Sequence, residues 1–361
     1  MESMYRIDYK KLIDLGAEIF IECGMRKNDA YILSESLVRT DMRGIKSHGT
    51  VRIPSYVEMI EQGSFVTNTD IEIVKETPVS TVIEGNNALG AIVCSQCCDI
   101  TREKAKKVGM AVTAVRNSNH FGAAGLWSLK IAQKDMISYV ISNSVATVAA
   151  LNGIGRGIGS NPFSYSIPAN KYPNLCLDAC CGYMAQGKIF EYQRLKKPFP
   201  ENSWLGPDGV MTTDSSMYEM GEYIMMPFGN HKGFGLSVIG EALTSMLAGA
   251  DFYKQPAGER TNTTFGDHHT SHVFIAIDIE AFEDLNAYRG KVDDYIDYLH
   301  SLPVHNGEPS VLYPGEIEAT LEEESEKLGV NIPVQIFEDM IQVARAKGID
   351  LAKYEIPEIK I

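Results

Sequence analysis

The chain contains 361 residues, with 33 Lys and Arg against 47 Asp and Glu for a formal net charge of -14. At 44% hydrophobic and 22% charged residues it cannot be a disordered, collagenous or wholly membrane-embedded polypeptide, and its length calls for two packed lobes or one large α/β unit. The negative balance repels a nucleic-acid duplex or an anionic membrane, so neither is expected as a partner, and an anionic ligand must be held by local groups.

The opening MESMYRIDYKKLID lacks the apolar core of a secretory signal, and no stretch is apolar for long enough to span a membrane. Seven cysteines, with Cys97 beside Cys98 and Cys180 beside Cys181, suit free thiols in a reducing compartment better than a disulfide framework. A cytoplasmic protein is expected.

Leu12, Ile13, Ile19 and Phe20 recur at helical spacing and predict a first helix that stops at Gly24. Asn28 is the expected cap of a second helix, which carries Ile32, Leu33, Leu37 and Val38 and ends near Gly44. Pro54 opens a third, with Tyr56, Met59 and Ile60 as its apolar stripe and Gly63 as its stop. From Ser80 the pattern changes: STVIEG reads as a strand, Ser95 to Lys107 as a helix and GMAVTAV from Gly109 as a buried strand. A helix with Leu126, Trp127, Leu129, Ile131 and Ala132 then leads to a strand at Met136. This cycle predicts a compact βαβ unit whose two parallel strands end on one rim of the sheet. Further strands are expected at Leu175 to Asp178 and His272 to Ile279, a turn at Pro207 to Gly209, and a long helix from His231 to Leu247. A last amphipathic helix is expected from Val330 to Lys347, with Val334, Phe337, Ile341 and Ala344 on one face, packed beside the first three. The expected organisation is a helical domain built from residues 1–76 and 306–361, and an α/β cofactor- and substrate-binding domain over 77–305.

The segment GIGRGIG at Gly153 to Gly159 never spaces its glycines as GxGxxG, and no Walker sequence occurs, so a Rossmann fingerprint is absent. A tight-turning loop and close backbone approach to a ligand both remain open for it. Ser47, His48 and Arg52 place a hydroxyl, an imidazole and a guanidinium in one short interhelical loop, the set needed to hold a carboxylate and exchange a proton; a solvated basic loop would look the same. His120, in Asn117-Ser118-Asn119-His120-Phe121-Gly122, follows a strand at the rim where open α/β sheets bind ligands, and Ser144 follows the next strand on the same rim. Pro227 to Gly235, PFGNHKGFG, joins glycines, a lysine and a helix N-terminus into an anion cradle. Asp267 to His272, DHHTSH, has poor geometry for one metal ion and reads as a polar loop before a strand, so no metal is expected.

DMRGIKSHGTVR, VRNSNHFGAAG, GIGSNP, PFGNHKGFGLSV and YPGEIE, in this order, resemble the malate/L-lactate dehydrogenase family of NAD(P)-dependent oxidoreductases. The resemblance implies an α/β fold whose sheet-containing cofactor-binding domain is not a Rossmann domain, with a smaller helical domain, and a homodimer whose sites use both subunits. It implies that Ser47, His48 and Arg52 line the substrate pocket with Arg52 on the carboxylate, that His120 is the acid/base residue with His48 as the other candidate, and that Ser144 touches substrate. It places the cofactor against Gly159, Ser160, Asn161 and Pro162, against Asp178, Ala179 and Cys180, against His231, Lys232 and Gly233, and against Gly315 and Glu316. Where the family usually shows Ala-Thr-Ser, this chain has Cys180-Cys181-Gly182, which puts hydrogen bonds to the cofactor there in question and leaves a ligand-binding homologue without turnover as the alternative. The expected activity is hydride transfer between a nicotinamide cofactor and a 2-oxo or 2-hydroxy acid, and the partner a small carboxylic acid. The negative charge leans the cofactor toward NADH over NADPH, with Arg156, Lys188 and Arg194 as the cations to watch near a 2′-phosphate.

Overall fold

A computed structural model describes residues 3–133, 135–184, 189, 192, 193, 195–206, 208–216, 224–252 and 270–354. Strand β1 (Met4–Ile7) leads into helix α1 (Tyr9–Glu22), whose first turn is capped by the Asp8 carboxylate accepting from the backbone N–H of Lys10 and Lys11. Helices α2 (Lys27–Met42) and α3 (Ile53–Glu61) follow, joined by two 3-10 turns, Lys46–His48 and Thr50–Arg52. Lys27 is the first helical residue of α2 and Arg26 occupies the cap position, so Asn28 lies inside the helix and does not cap it.

The α/β part contains β2 (Glu72–Glu76), β3 (Ser80–Glu84), α4 (Gly90–Val108), β4 (Met110–Ser118), α5 (Ala124–Ala132), β5 (Met136–Ser142), β6 (Ala146–Ala149), β7 (Arg156–Gly159), β8 (Phe163–Ile167) and β9 (Leu175–Ala179). Short strands β10 (Trp204–Leu205), β11 (Met211–Thr212) and β12 (Ile224–Met225) precede helix α6 (His231–Glu241), which continues as a π turn over Ala242–Met246. Strand β13 (Thr270–Asp278), α7 (Leu285–His300), α8 (Glu316–Leu328), β14 (Val330–Pro333) and α9 (Val334–Ala346) complete the order. Among the described residues no helix is long and apolar enough to cross a membrane.

The central sheet has the order β2-β3-β4-β13-β5-β8-β9. Strands β3 and β4 are parallel neighbours joined through α4, the adjacent βαβ unit of the fold. Strands β4 and β5 run in the same direction but do not touch: β13, arriving from far along the chain, lies antiparallel between them. The predicted compact β4-α5-β5 unit is corrected accordingly, while the shared rim survives, because both strands are antiparallel to the one that separates them. A second sheet, β11-β10-β12-β6-β7, makes Arg156–Gly159 a strand instead of a loop. The predicted helix at Val330 begins four residues late, because Val330–Pro333 pairs antiparallel with β1.

Alternation within the strands divides the sheet's two faces. Val115, Val140, Phe274 and Ala276 join Phe20, Leu33, Leu37, Tyr56 and Met340 in one continuous core under α4, α5 and the helices of both termini. Helix α9 supplies Phe337, Met340, Ile341 and Ala344 to it and packs on α3 and on the turn Thr50–Arg52. The opposite sheet face carries Ala114, Ile141, Phe163 and Val273, and there Tyr165 and its cross-strand partner Leu177 are exposed.

Candidate active site

The residues expected at the substrate, Ser47, His48 and Arg52, are built on the break between α2 and α3. Asp41, 2% exposed, accepts from both the backbone N–H (2.7 Å) and the hydroxyl (2.6 Å) of Thr50, folding the intervening loop back on the helix end. Lys46 donates to the carbonyl of Asp41 and to that of Asn331 on β14, so both chain ends grip the loop. Gly49 is obligatory here, since a Cβ would stand 2.1 Å from Asp41 Oδ1. Within this frame Ser47 Oγ and His48 Nδ1 are 2.8 Å apart, and Arg52 Nε donates to the carbonyl of Ser47 (2.8 Å).

His120 is brought to the same place from the end of β4. Its ring stacks on His48 with centroids 5.4 Å apart and 23° between planes, and its Nδ1 is 2.5 Å from the Tyr56 hydroxyl. Its loop is held by Asn119, whose side-chain N–H donates to the carbonyl and side-chain oxygen of Asn87 (2.8 Å each). Burial, with Arg52 adding positive charge, lowers the His48 pKa to about 4. Burial likewise holds His120 well below its ordinary value, with His48, Arg52 and His272 adding to the effect, so both imidazoles rest neutral. Burial also pushes the Tyr56 phenol well up, keeping it protonated. Burial lowers the Arg52 pKa but leaves a guanidinium cationic at neutral pH.

The residues expected at the cofactor, and Ser144 expected at the substrate, gather around the end of β5, the start of β8 and the end of β9. Ser144 donates its backbone N–H to Asn161 Oδ1 (2.9 Å), and its hydroxyl lies 3.2 Å from that of Ser160. Asn161 is fully buried; its side-chain N–H donates to Ser237 on α6, whose hydroxyl donates to the Gly159 carbonyl. Asn161 is thus a bolt joining three segments, with Pro162 carrying the chain on into β8. Asp178 Oδ2 accepts the backbone N–H of Gly125 in the first turn of α5 (2.9 Å), and Ala179 ends β9. The Cys181 N–H donates to the Ser160 carbonyl, and the Phe228 N–H to the Cys181 carbonyl, which draws Cys180 and the start of α6 together. There His231 and Lys232 are exposed and Gly233 is buried. Gly315 backs onto Cys176 of β9, whose N–H donates to the Pro314 carbonyl. The Glu316 carboxylate takes the Tyr313 N–H and His300 Nε2, tying α7 to α8. The exposed Asp178 carboxylate as an acceptor, with Lys232 and the N-terminus of α6 as donors, is a set that fits the ribose hydroxyls and pyrophosphate of a nicotinamide dinucleotide.

Two contributors escape the sequence reading. Tyr56 reads as one member of an apolar stripe, yet its hydroxyl meets His120; its spacing of four from Arg52, which puts both on one helical face, is the available signal. His272 reads as the first residue of a strand behind a polar loop, with no role assigned to it, yet its ring is buried between Ser118 and Ser142. Asp267, His268, His269, Lys188 and Arg194 lie outside the described residues, and Arg156 opens β7.

A dehydrogenase acting on hydroxy acids is the class to which this chain belongs. The model of the malate/L-lactate dehydrogenase family matches residues 7–341. The L-sulfolactate dehydrogenase of Methanocaldococcus jannaschii is 34% identical over 96% of this chain and 97% of its own, and the malate dehydrogenase of Pyrococcus abyssi is 30% identical over 96% of each. A malate dehydrogenase structure from Entamoeba histolytica superposes with a TM-score of 0.90 at 27% identity, covering 96% of this chain and 99% of that one. The chain belongs to the malate/L-lactate dehydrogenase family. It is an NAD(P)-dependent enzyme that moves hydride between a hydroxy acid and the corresponding oxo acid.

Proposed function

We propose that this enzyme reduces a small 2-oxo acid with NADH, and runs the reverse oxidation, with His120 as the proton-transfer residue and Arg52 on the substrate carboxylate. The observation that carries the reading is the contact of His120 with Tyr56 on one side and His48 on the other, beside the Arg52 guanidinium. A bound nicotinamide supplies or takes up the hydride. The Tyr56 hydroxyl occupies Nδ1 of His120, which leaves Nε2 to carry the proton. In the oxidation direction Nε2 takes the proton of the alcohol; in reduction the imidazolium returns it to the developing alkoxide. Arg52 grips the carboxylate with two parallel N–H donors, and His48, held neutral, contacts substrate together with Ser47 and Ser144. Cofactor contacts are assigned to Gly159–Pro162, Asp178–Cys180, His231–Gly233 and Gly315–Glu316, with residues 1–76 and 306–361 as the helical unit against 77–305.

The enzyme is proposed to be a cytoplasmic homodimer. Tyr165, Leu177, Leu236, Val238, Ile239 and Leu247 are apolar residues exposed in the single chain, Ile239 to 58%, and a second copy would cover such residues. The names of the relatives favour malate and sulfolactate, 2-hydroxy acids bearing a second anionic group. The test is absorbance at 340 nm with NADH or NADPH and a panel of pyruvate, oxaloacetate and 3-sulfopyruvate. Turnover of a dianionic oxo acid with NADH is expected; cofactor binding without turnover of any acid would overturn the reading.

A further inference from the structure

His272 lies on β13, the strand that separates β4 from β5, and it is fully buried. Its Nδ1 is 2.8 Å from Ser142 Oγ at the end of β5, and its Nε2 is 3.0 Å from Ser118 Oγ at the end of β4. The Ser142 hydroxyl spends its single proton on the Asn143 carbonyl (2.7 Å), so it accepts from Nδ1–H, and Nε2 accepts from the Ser118 hydroxyl. One neutral imidazole therefore spans the two strand ends. The pairing register between β13 and β4 slips between Thr270 and His272, a bulge of the kind that re-aims side chains beside active sites.

Both anchors stand two positions from a site residue: Ser118 precedes His120, and Ser142 precedes Ser144. The residue after His120, Phe121, lies flat on the His272 ring, with centroids 4.7 Å apart and 3° between planes. The same ring thus holds the His120 loop on both sides of the reacting residue, by a hydrogen bond before it and a stack after it. We propose that His272 is a positioning residue that registers His120 against Ser144 across the sheet. It rests on the reading of His120 as the proton carrier. A displacement of about 1 Å at such a group costs on the order of a hundredfold in rate.

The test uses the full chain saturated with NADH. His272→Phe keeps an aromatic ring for Phe121 and removes both hydrogen bonds, while Ser118→Ala and Ser142→Ala remove one each and remain informative if the ring variant does not fold. The expected result is kcat lowered roughly tenfold to a hundredfold with the NADH dissociation constant within about twofold, together with a shift of the His120 ring ¹⁵N resonances. A general loss of structure would not separate kcat from cofactor affinity in this way. Unchanged kcat and unmoved His120 resonances in the folded variants would overturn the positioning role. Retained activity in His120→Asn would instead sink the proton-carrier assignment, and the ¹⁵N signal would still report whether His272 holds the loop.

Discussion

The Tyr56 hydroxyl and Nδ1 of His120 are 2.5 Å apart across a separation of 64 residues, and this contact couples the helical part of the fold to the rim of the central sheet. A phenol held protonated by burial gives the imidazole a fixed partner on one nitrogen and leaves the other for chemistry. His120→Asn is expected to lower kcat by about a hundredfold to ten-thousandfold, the usual worth of a general acid or base, with NADH affinity unchanged by fluorescence titration. Tyr56→Phe removes a hydrogen bond to a group that becomes charged, worth about 1.5–3 kcal/mol, and is expected to cost roughly tenfold to a hundredfold. If His48→Asn proves the more damaging and His120→Asn nearly silent, the two roles exchange.

Arg52 sits on the turn that Asp41 and Thr50 hold in place. Arg52→Lys retains charge but not the planar pair of donors, so the Michaelis constant for the oxo acid is expected to rise at least about tenfold, with kcat less affected. Initial-rate kinetics at saturating NADH decide it; an unchanged constant removes Arg52 from the carboxylate.

The direction of the histidine shifts sets the pH dependence. A pKa held below its ordinary value by burial and by Arg52 means that the imidazolium needed for reduction is the scarce form at neutral pH. Reductive kcat/KM is therefore expected to rise as pH falls through 7 toward 6, while oxidative kcat/KM stays level over that range. Parallel rate profiles in the two directions measure this, and a reductive rate that climbs with pH would contradict it.

His272 makes a separate demand on stability. Burial lowers its native pKa to about 3, opposed by the Asn119 backbone, which favours the charged ring, whereas the unfolded chain titrates at about 6.5. The unfolded state then binds the extra proton across that window, so stability falls with decreasing pH, by up to about 1.4 kcal/mol per unit for this one group. Urea midpoints recorded from pH 7 to pH 4 should decline, and less steeply in His272→Phe. Equal slopes in the two proteins would show that His272 titrates normally.

The exposed apolar residues on α6 and on β8 and β9 are the proposed dimer contacts. Ile239→Asp combined with Tyr165→Asp should convert a dimer of about twice 39.9 kDa to a monomer in sedimentation equilibrium, since each carboxylate would be buried without a partner. A wild-type chain that sediments as a monomer would remove the proposed interface.

Periodicity in the chain reports which face of an element is buried, because the 3.6-residue and two-residue repeats are local. Hence α1, α3, α4, β4 and α9 are legible from residues such as Phe20, Pro54 and Phe337, and the spacing Ser47, His48, Arg52 already groups the residues of the proposed substrate pocket. The five ordered motifs carry the family. What local pattern does not contain is the identity of the partner. The insertion of β13 between β4 and β5 depends on pairing energy over more than a hundred residues, and an aliphatic strand reads the same beside any neighbour. For the same reason Tyr56 looks like one more apolar residue until His120 is folded against it. His272 is legible only as the start of a strand until Ser118 and Ser142 close on its two nitrogens. The residue types that this chemistry requires are set by the sequence alone; their tautomers, their neutrality and their mutual register come from burial and from contacts that exist only once distant strands lie side by side.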